Sequence, residues 1–202
     1  LAPRFAAEVA AILSRDGFVP ILSPEPVPTP ALSLRVVTAG ASLGVMITAS
    51  HNPPEYSGLK LKDSDGGTLE PEPTERMVRG IPPADPSPAD GADLPRHPSF
   101  LPSYLRAIRG RVSIREIRSA RLRVVADSMH GMGGLLLERA LEGGGSRVRT
   151  LRDRSDPLFG GNNPEPIARN LGMLLRTVRK DRAAAGFATD GDCTIVAVRG
   201  FD

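Results

Sequence analysis

Apolar residues recur at helical spacing near the start of the chain. Phe5, Val9, Ile12 and Leu13 share one face, and Gly17 ends the run. A short apolar stretch, Phe18 to Leu22, predicts a strand. Thr29 followed by Pro30 predicts a helix start, with a hydroxyl at the cap and proline at the first helical position. That helix extends to about Thr38, where Gly40 stops it, and Val45 to Thr48 predicts another strand. The rhythm resumes further on. Phe100 to Ile108 reads as a helix and Leu122 to Ala126 as an apolar, β-branched strand. Met132 to Leu141 reads as a helix closed by Gly143 to Gly145, and Val148 to Leu151 as a strand. Pro164 opens a long helix through Leu171, Leu174, Leu175 and Val178, and Gly186 to Thr189 is a last strand. This alternation predicts an α/β fold: two consecutive α/β domains with mainly parallel sheets and flanking helices.

Between the two runs, Ile81 to Pro98 is rich in Pro, Asp and Ala and holds almost no large apolar residue. It reads as a linker, which divides the chain into domains at 1–98 and 99–202. The chain begins inside a helix, without Met or an earlier strand, and stops soon after a strand, so it is expected to be part of a longer polypeptide.

Composition narrows the function. Hydrophobic residues make up 40% of the 202 residues, which suits a globular domain. No stretch of 18 or more apolar residues occurs, and no basic segment precedes an apolar one at the start, so neither a membrane span nor a secretory leader is expected. The one cysteine, Cys193, excludes an internal disulfide framework and fits a reducing cytoplasm. The net charge is +3, carried almost entirely by scattered Arg, with no Trp and only two Tyr and six Phe. A nucleic-acid surface would need clustered basic residues interleaved with stacking rings, so no nucleic-acid partner is expected. A mild positive field suits a small phosphorylated substrate.

Two segments carry candidate chemistry. In GVMITASHNPPEYSGLK, Gly44 to Lys60, a strand gives way to a polar loop. In open α/β sheets such loops, at the carboxyl ends of strands, form the ligand crevice. Ser50 can present its oxygen there, His51 can orient or polarise it, and Asn52 can contact substrate. Lys60 can carry a proton or meet a phosphate. The same letters also suit a plain strand-to-loop turn, with Pro53 and Pro54 holding the backbone extended. The second segment is ATDGD, Ala188 to Asp192, in which Asp190 and Asp192 flank a glycine at a strand end. Two such carboxylates suit a hard cation, Mg²⁺ above all, although Asp-Gly is also a common turn. GMGG after Asp127 lacks dinucleotide spacing and no P-loop lysine pattern occurs, so neither NAD nor ATP is indicated.

TASHNPPEYSGLK resembles the active-site loop of the α-D-phosphohexomutases, the phosphoglucomutase/phosphomannomutase family. The D-G-D segment is similar to that family's metal loop, D-G-D-x-D-R. VPTPA at Val27 to Ala31, VVADSMHGMGG at Val124 to Gly134 and DPLFGGNNPEPIARNL at Asp156 to Leu171 resemble further family segments in the same order. The resemblance implies the first two domains of a four-domain enzyme that interconverts hexose 1-phosphate and hexose 6-phosphate of glucose or mannose. It implies Ser50 as the phosphoserine, His51 beside it and Lys60 as general acid/base. It further implies Mg²⁺ on Ser50, Asp190 and Asp192, and glucose 1,6-bisphosphate as intermediate and activator. The sequence departs from the family at two positions: Thr194 stands where the family has its third Asp and Ile195 where it has Arg. Two carboxylates and a hydroxyl predict weaker Mg²⁺ binding than three carboxylates. Two rival readings follow: a mutase-like binding or regulatory protein without activity, or an Mg²⁺-dependent phosphatase with Asp190 as nucleophile.

Overall fold

The computed structural model describes residues 2–81 and 95–200. Residues 82–94, the greater part of the expected linker, lie outside the described residues. The elements run α1 (Ala2–Arg15), α2 (Thr29–Ala39), β1 (Leu43–Thr48), β2 (Gly58–Asp63) and α3 (Pro71–Arg79). They continue with α4 (Leu101–Arg111), α5 (Ile114–Ser119), β3 (Arg123–Asp127), α6 (Leu136–Leu141), β4 (Arg147–Leu151), α7 (Gly172–Asp181), β5 (Ala185–Thr189) and β6 (Val196–Gly200). Two compact units form. The first holds α1, most of α2, β1, β2 and α3. The second holds Pro28–Pro30, Ala49–Tyr56 and the chain from Leu101 onward.

In the first unit, α1 closes as its glycine predicts. Gly17 takes φ 87°, its N–H donates to Ser14 O, and Phe18 N–H reaches back to Leu13 O at 2.9 Å, a Schellman closure. That closure explains why Phe18 to Leu22 forms no strand. Phe18 is consumed by the helix end, Pro20 has no N–H to offer a ladder, and Phe18 and Val19 stay exposed. The sheet of this unit is an antiparallel pair, with Val45 opposite Leu61 and Met46 opposite Lys60. β2 was not anticipated; Leu59 and Leu61 alternate with Lys60 and Lys62, yet Leu59 is exposed and Lys62 is buried, the reverse of what that alternation suggests. α3, also unanticipated, has no buried residue and carries exposed Glu72–Arg76 and Glu75–Arg79 pairs four residues apart.

The second unit is the expected α/β sheet. Its strand order is β4-β3-β5-β6. β3 runs parallel to β4 and β5, and β6 is antiparallel to β5. β3 is central and buried from Val124 to Asp127. One face packs α7, with Val125, Met129, Leu171, Leu174, Val178, Ala183 and Ala188 forming the core. Full burial of a Leu or Val side chain contributes about 1.5–3 kcal/mol. Two expected helices are shorter than predicted. The segment from Met132 becomes helical only at Leu136, because Met132 N–H donates to Gly191 O and Ser128 Oγ to Gly134 O. The segment from Pro164 becomes α-helical only at Gly172. Pro166 disfavours helical backbone at Glu165, and the Asn170 amide donates to Glu165 O at 2.9 Å, holding an irregular turn.

Candidate functional site

β1 ends at Thr48, and the chain at Ser50 turns into left-handed backbone, φ 55°. A serine pays roughly 1–2 kcal/mol for that conformation, and such strain concentrates at functional positions. The turn aims the side chain at the loop that follows β5. Ser50 Oγ donates to Asp190 Oδ2 at 3.0 Å, and it lies 3.4 Å from both Asp192 Oδ1 and Thr194 Oγ1. Residues 140 positions apart in sequence thus meet within one unit.

The acidic loop is built to hold its two carboxylates in fixed orientations. Asp190 is fully buried. Its Oδ1 accepts the N–H groups of Thr194 and Ile195 at 2.8 and 2.9 Å. Its Oδ2 faces Ser50 and, at 3.2 Å, Thr194 Oγ1. Asp192, 2% exposed, accepts the Thr29 hydroxyl on Oδ2 at 2.9 Å and lies 2.8 Å from Thr194 Oγ1 through Oδ1. Burial holds the Asp190 carboxyl above the usual carboxylate value. The Ile195 N–H opposes that shift and the charge on Asp192 reinforces it. Cys193, between the carboxylates and Thr194, is a poor nucleophile at neutral pH, since burial pushes its thiol up to about 12.

Glycine 191 has a steric task. A Cβ there would stand 2.6 Å from Ser50 O and 3.4 Å from the Phe159 ring. Only a hydrogen at this position lets the serine backbone close on the loop. On the other side, a Cβ on Gly131 would meet Gly191 O at 2.6 Å, so the turn after β3 presses equally close. Gly191→Ala is expected to cost about 1–3 kcal/mol, a fall in melting temperature of roughly 2–12 °C, with weaker divalent-cation binding. Unchanged melting in a calorimeter would show that the loop yields freely.

The structure brings Ser50, Asp190, Asp192 and Thr194 together. His51 stands next in the same loop with its Nδ1 buried and lacking a hydrogen-bond partner among the described residues. Asn52 is exposed and its N–H closes a turn on Ala49 O. Lys60 belongs to the other unit, on β2 opposite Met46. His130 is a turn residue: its N–H donates to Arg152 O, and its Nδ1 lies 3.0 Å from Arg154 O. Thr29 is the contact that sequence reasoning assigned elsewhere, to the start of a helix. Among the described residues no group of three or more His, Cys, Asp or Glu side chains converges, and no helix is long and apolar enough to cross a membrane.

Comparison with known proteins gives a consistent result. Residues 1–85 match the model of phosphoglucomutase/phosphomannomutase α/β/α domain I, and residues 102–199 match that of α/β/α domain II. A protein of Methanopyrus kandleri named as a probable phosphoglucosamine mutase is 38% identical over 167 residues, covering 81% of this chain and 36% of its own length. A phosphoglucomutase/phosphomannomutase of Thermococcus kodakarensis is 34% identical, covering 82% of this chain and 37% of its own length. A solved structure from Thermus thermophilus, assigned as a phosphomannomutase, superposes on 98% of this chain and 45% of its own, with a TM-score of 0.88 and 34% identity. The chain therefore spans little more than a third of the length of these curated relatives.

Proposed function

Because the chain belongs to the α-D-phosphohexomutase family, we propose that Ser50 carries the phosphoryl group in the interconversion of hexose 1-phosphates and hexose 6-phosphates. The observation that carries this reading is the seat of the Ser50 hydroxyl. It sits 3.0 Å from a fully buried carboxylate, on a strained turn, beside a second carboxylate. The substrate class is widened from glucose and mannose to hexose phosphates generally, since the relatives include one named for glucosamine.

Four oxygens converge: Ser50 Oγ, Asp190 Oδ2, Asp192 Oδ1 and Thr194 Oγ1. The hydroxyls of Ser50 and Thr194 lie 2.8 to 3.4 Å from the two carboxylate oxygens and from each other. Two carboxylates and two hydroxyls make an all-oxygen donor set of the kind that suits Mg²⁺, with Thr194 supplying a neutral oxygen where the family has a carboxylate. When bound, Mg²⁺ supplies compensation for the charge on the transferring group.

The residues divide the remaining work. The bond between phosphorus and Ser50 Oγ breaks as the free sugar hydroxyl bonds to phosphorus. In the return step the bond between the bisphosphate's other phosphorus and its sugar oxygen breaks as that phosphorus bonds to Ser50 Oγ, and the sugar oxygen leaves as a hydroxyl. Lys60 takes the sugar hydroxyl proton in the first step and returns one in the second. Asp190, its Oδ1 fixed by two backbone N–H groups, holds Ser50 Oγ in place. His51 offers its buried Nδ1 side to the phosphoserine loop, and Asn52 offers an exposed amide to substrate. Burial argues against Asp190 as a phosphatase nucleophile. It has no exposed surface, and both oxygens already have partners. A reducing cytoplasm suits this chemistry and the single cysteine.

Incubating the protein with glucose 1,6-bisphosphate, followed by intact-mass measurement and peptide mapping, tests the assignment. Phosphate on the peptide containing Ser50, and none in Ser50→Ala, is the expected result. Phosphate elsewhere with Ser50 unmodified overturns it.

A further inference from the structure

Each carboxylate of the acidic loop divides its oxygens between two tasks. Asp190 gives Oδ1 to backbone N–H groups and turns Oδ2 to the hydroxyls of Ser50 and Thr194. Asp192 turns Oδ1 to the same hydroxyls, and its Oδ2 accepts the hydroxyl of Thr29 at 2.9 Å. Thr29 arrives from 163 residues earlier, is 1% exposed, and also donates its backbone N–H to Asp192 O at 3.0 Å. The two bonds from one residue clamp both ends of the aspartate. A side-chain rotation that brought both oxygens of Asp192 to a cation would break the hydroxyl bond and leave Thr29 Oγ1 buried without its acceptor.

We propose that Thr29 is a positioning residue that sets the cation selectivity of the acidic loop by restricting Asp192 to single-oxygen coordination. The inference rests on the reading of residues 190–194 as a metal loop. One oxygen from each carboxylate suits a small cation that demands octahedral geometry, such as Mg²⁺ or Mn²⁺. Ca²⁺ takes more ligands at longer distances and readily accepts carboxylates in bidentate fashion. Releasing Asp192 Oδ2 therefore removes a discrimination against Ca²⁺.

The test is titration of the protein with Mn²⁺, read by electron paramagnetic resonance of the free ion, and with Ca²⁺ by competition. Wild type is compared with Thr29→Val, which keeps the shape and removes the hydroxyl, and with Thr29→Ser, which restores the hydroxyl. Thr29→Val is expected to lose about 10-fold in Mn²⁺ affinity, as orienting residues around metal ligands commonly do. It is expected to hold or gain Ca²⁺ affinity, so that the Mn²⁺/Ca²⁺ ratio falls about 10-fold, and Thr29→Ser to keep the wild-type ratio. A purely structural role lowers both affinities together and leaves the ratio unchanged, which overturns the proposal. So does a Thr29→Ser ratio as low as that of Thr29→Val. If Thr29→Val does not fold, Thr29→Ala, with the hydroxyl also gone, is read by the same ratio and the same criteria. Wild-type protein that binds neither cation, or Asp192→Asn that binds both as well as wild type, defeats the metal-loop reading itself, a result distinguishable from an unchanged ratio.

Discussion

Replacing Arg152 by methionine is expected to destabilise the second unit by about 3–5 kcal/mol, lowering its melting temperature by roughly 6–20 °C. Arg152 grips Asp127 with two bonds, Nε to Oδ1 at 2.8 Å and Nη2 to Oδ2 at 2.6 Å. The Asp127 side chain has no exposure, so removing the guanidinium leaves a carboxylate in the sheet interior without its counter-charge. Among the described residues its remaining bond, from Met129 N–H, is too little to hold a charge there. The loss also reaches the site. Asp127 ends the central strand β3, and the turn after it passes through two left-handed residues, Met129 and His130. That turn then donates Met132 N–H to Gly191 O at 2.8 Å. The ion pair thus anchors the turn on which the acidic loop rests. A double variant, Asp127→Asn with Arg152→Met, is expected to recover much of the loss, because no uncompensated charge remains. Equal melting of Arg152→Met and wild type in differential scanning calorimetry would show that the pair contributes nothing.

Asp190→Asn is expected to melt above wild type at neutral pH without divalent cations, and below it in saturating Mg²⁺. Burial, with the charge on Asp192 beside it, raises the native pKa of Asp190 above the usual 3.8. The native state then binds a proton that the unfolded state has released, over the window from 3.8 up to the native value. Unfolding free energy falls as pH rises through that window. The favourable contribution is complete below the usual carboxylate value and lost once Asp190 ionises in the fold. An asparagine carries no such dependence. Its oxygen can accept from Thr194 and Ile195, and its NH₂ can donate to Ser50 and Thr194. Mg²⁺ reverses the order because a cation stabilises the ionised pair, by about 2.7 kcal/mol at a hundred times its dissociation constant. Melting curves from acid to neutral pH, with and without Mg²⁺, decide the matter. Lower stability of Asp190→Asn in the cation-free protein at neutral pH would show that the carboxylate is not a liability.

Much of the second unit was legible because its elements announce themselves locally. The apolar run at Val124 to Ala126 and the glycines at 143 to 145 mark strand and helix ends by backbone preference alone. The misreadings have two causes, local constraints at Pro20 and Pro166 and bonding to partners distant in sequence. Met132 looks helical, yet its N–H is taken by Gly191. Pro164 looks like a helix start, yet it is fully buried in an irregular turn. β2 escaped notice because its Leu-Lys alternation is short and becomes a strand only through pairing with β1. Ser50, Asp190 and Asp192 stood out through local motifs, and Thr194 as a departure from one. Thr29 did not, because a threonine before proline already has a local explanation.

Local patterning was enough to establish the α/β alternation, the serine loop after β1 and the acidic loop after β5, since each depends on residues within about ten positions of one another. Folding in three dimensions settled which oxygen of each carboxylate faces the serine. It also settled that Thr29 holds Asp192 and that Gly191 must lack a side chain for Ser50 to close on it. Those are relations of direction and distance between residues as many as 163 positions apart. Nothing in the local order of side chains encodes such a direction until the chain has folded and buried the groups concerned.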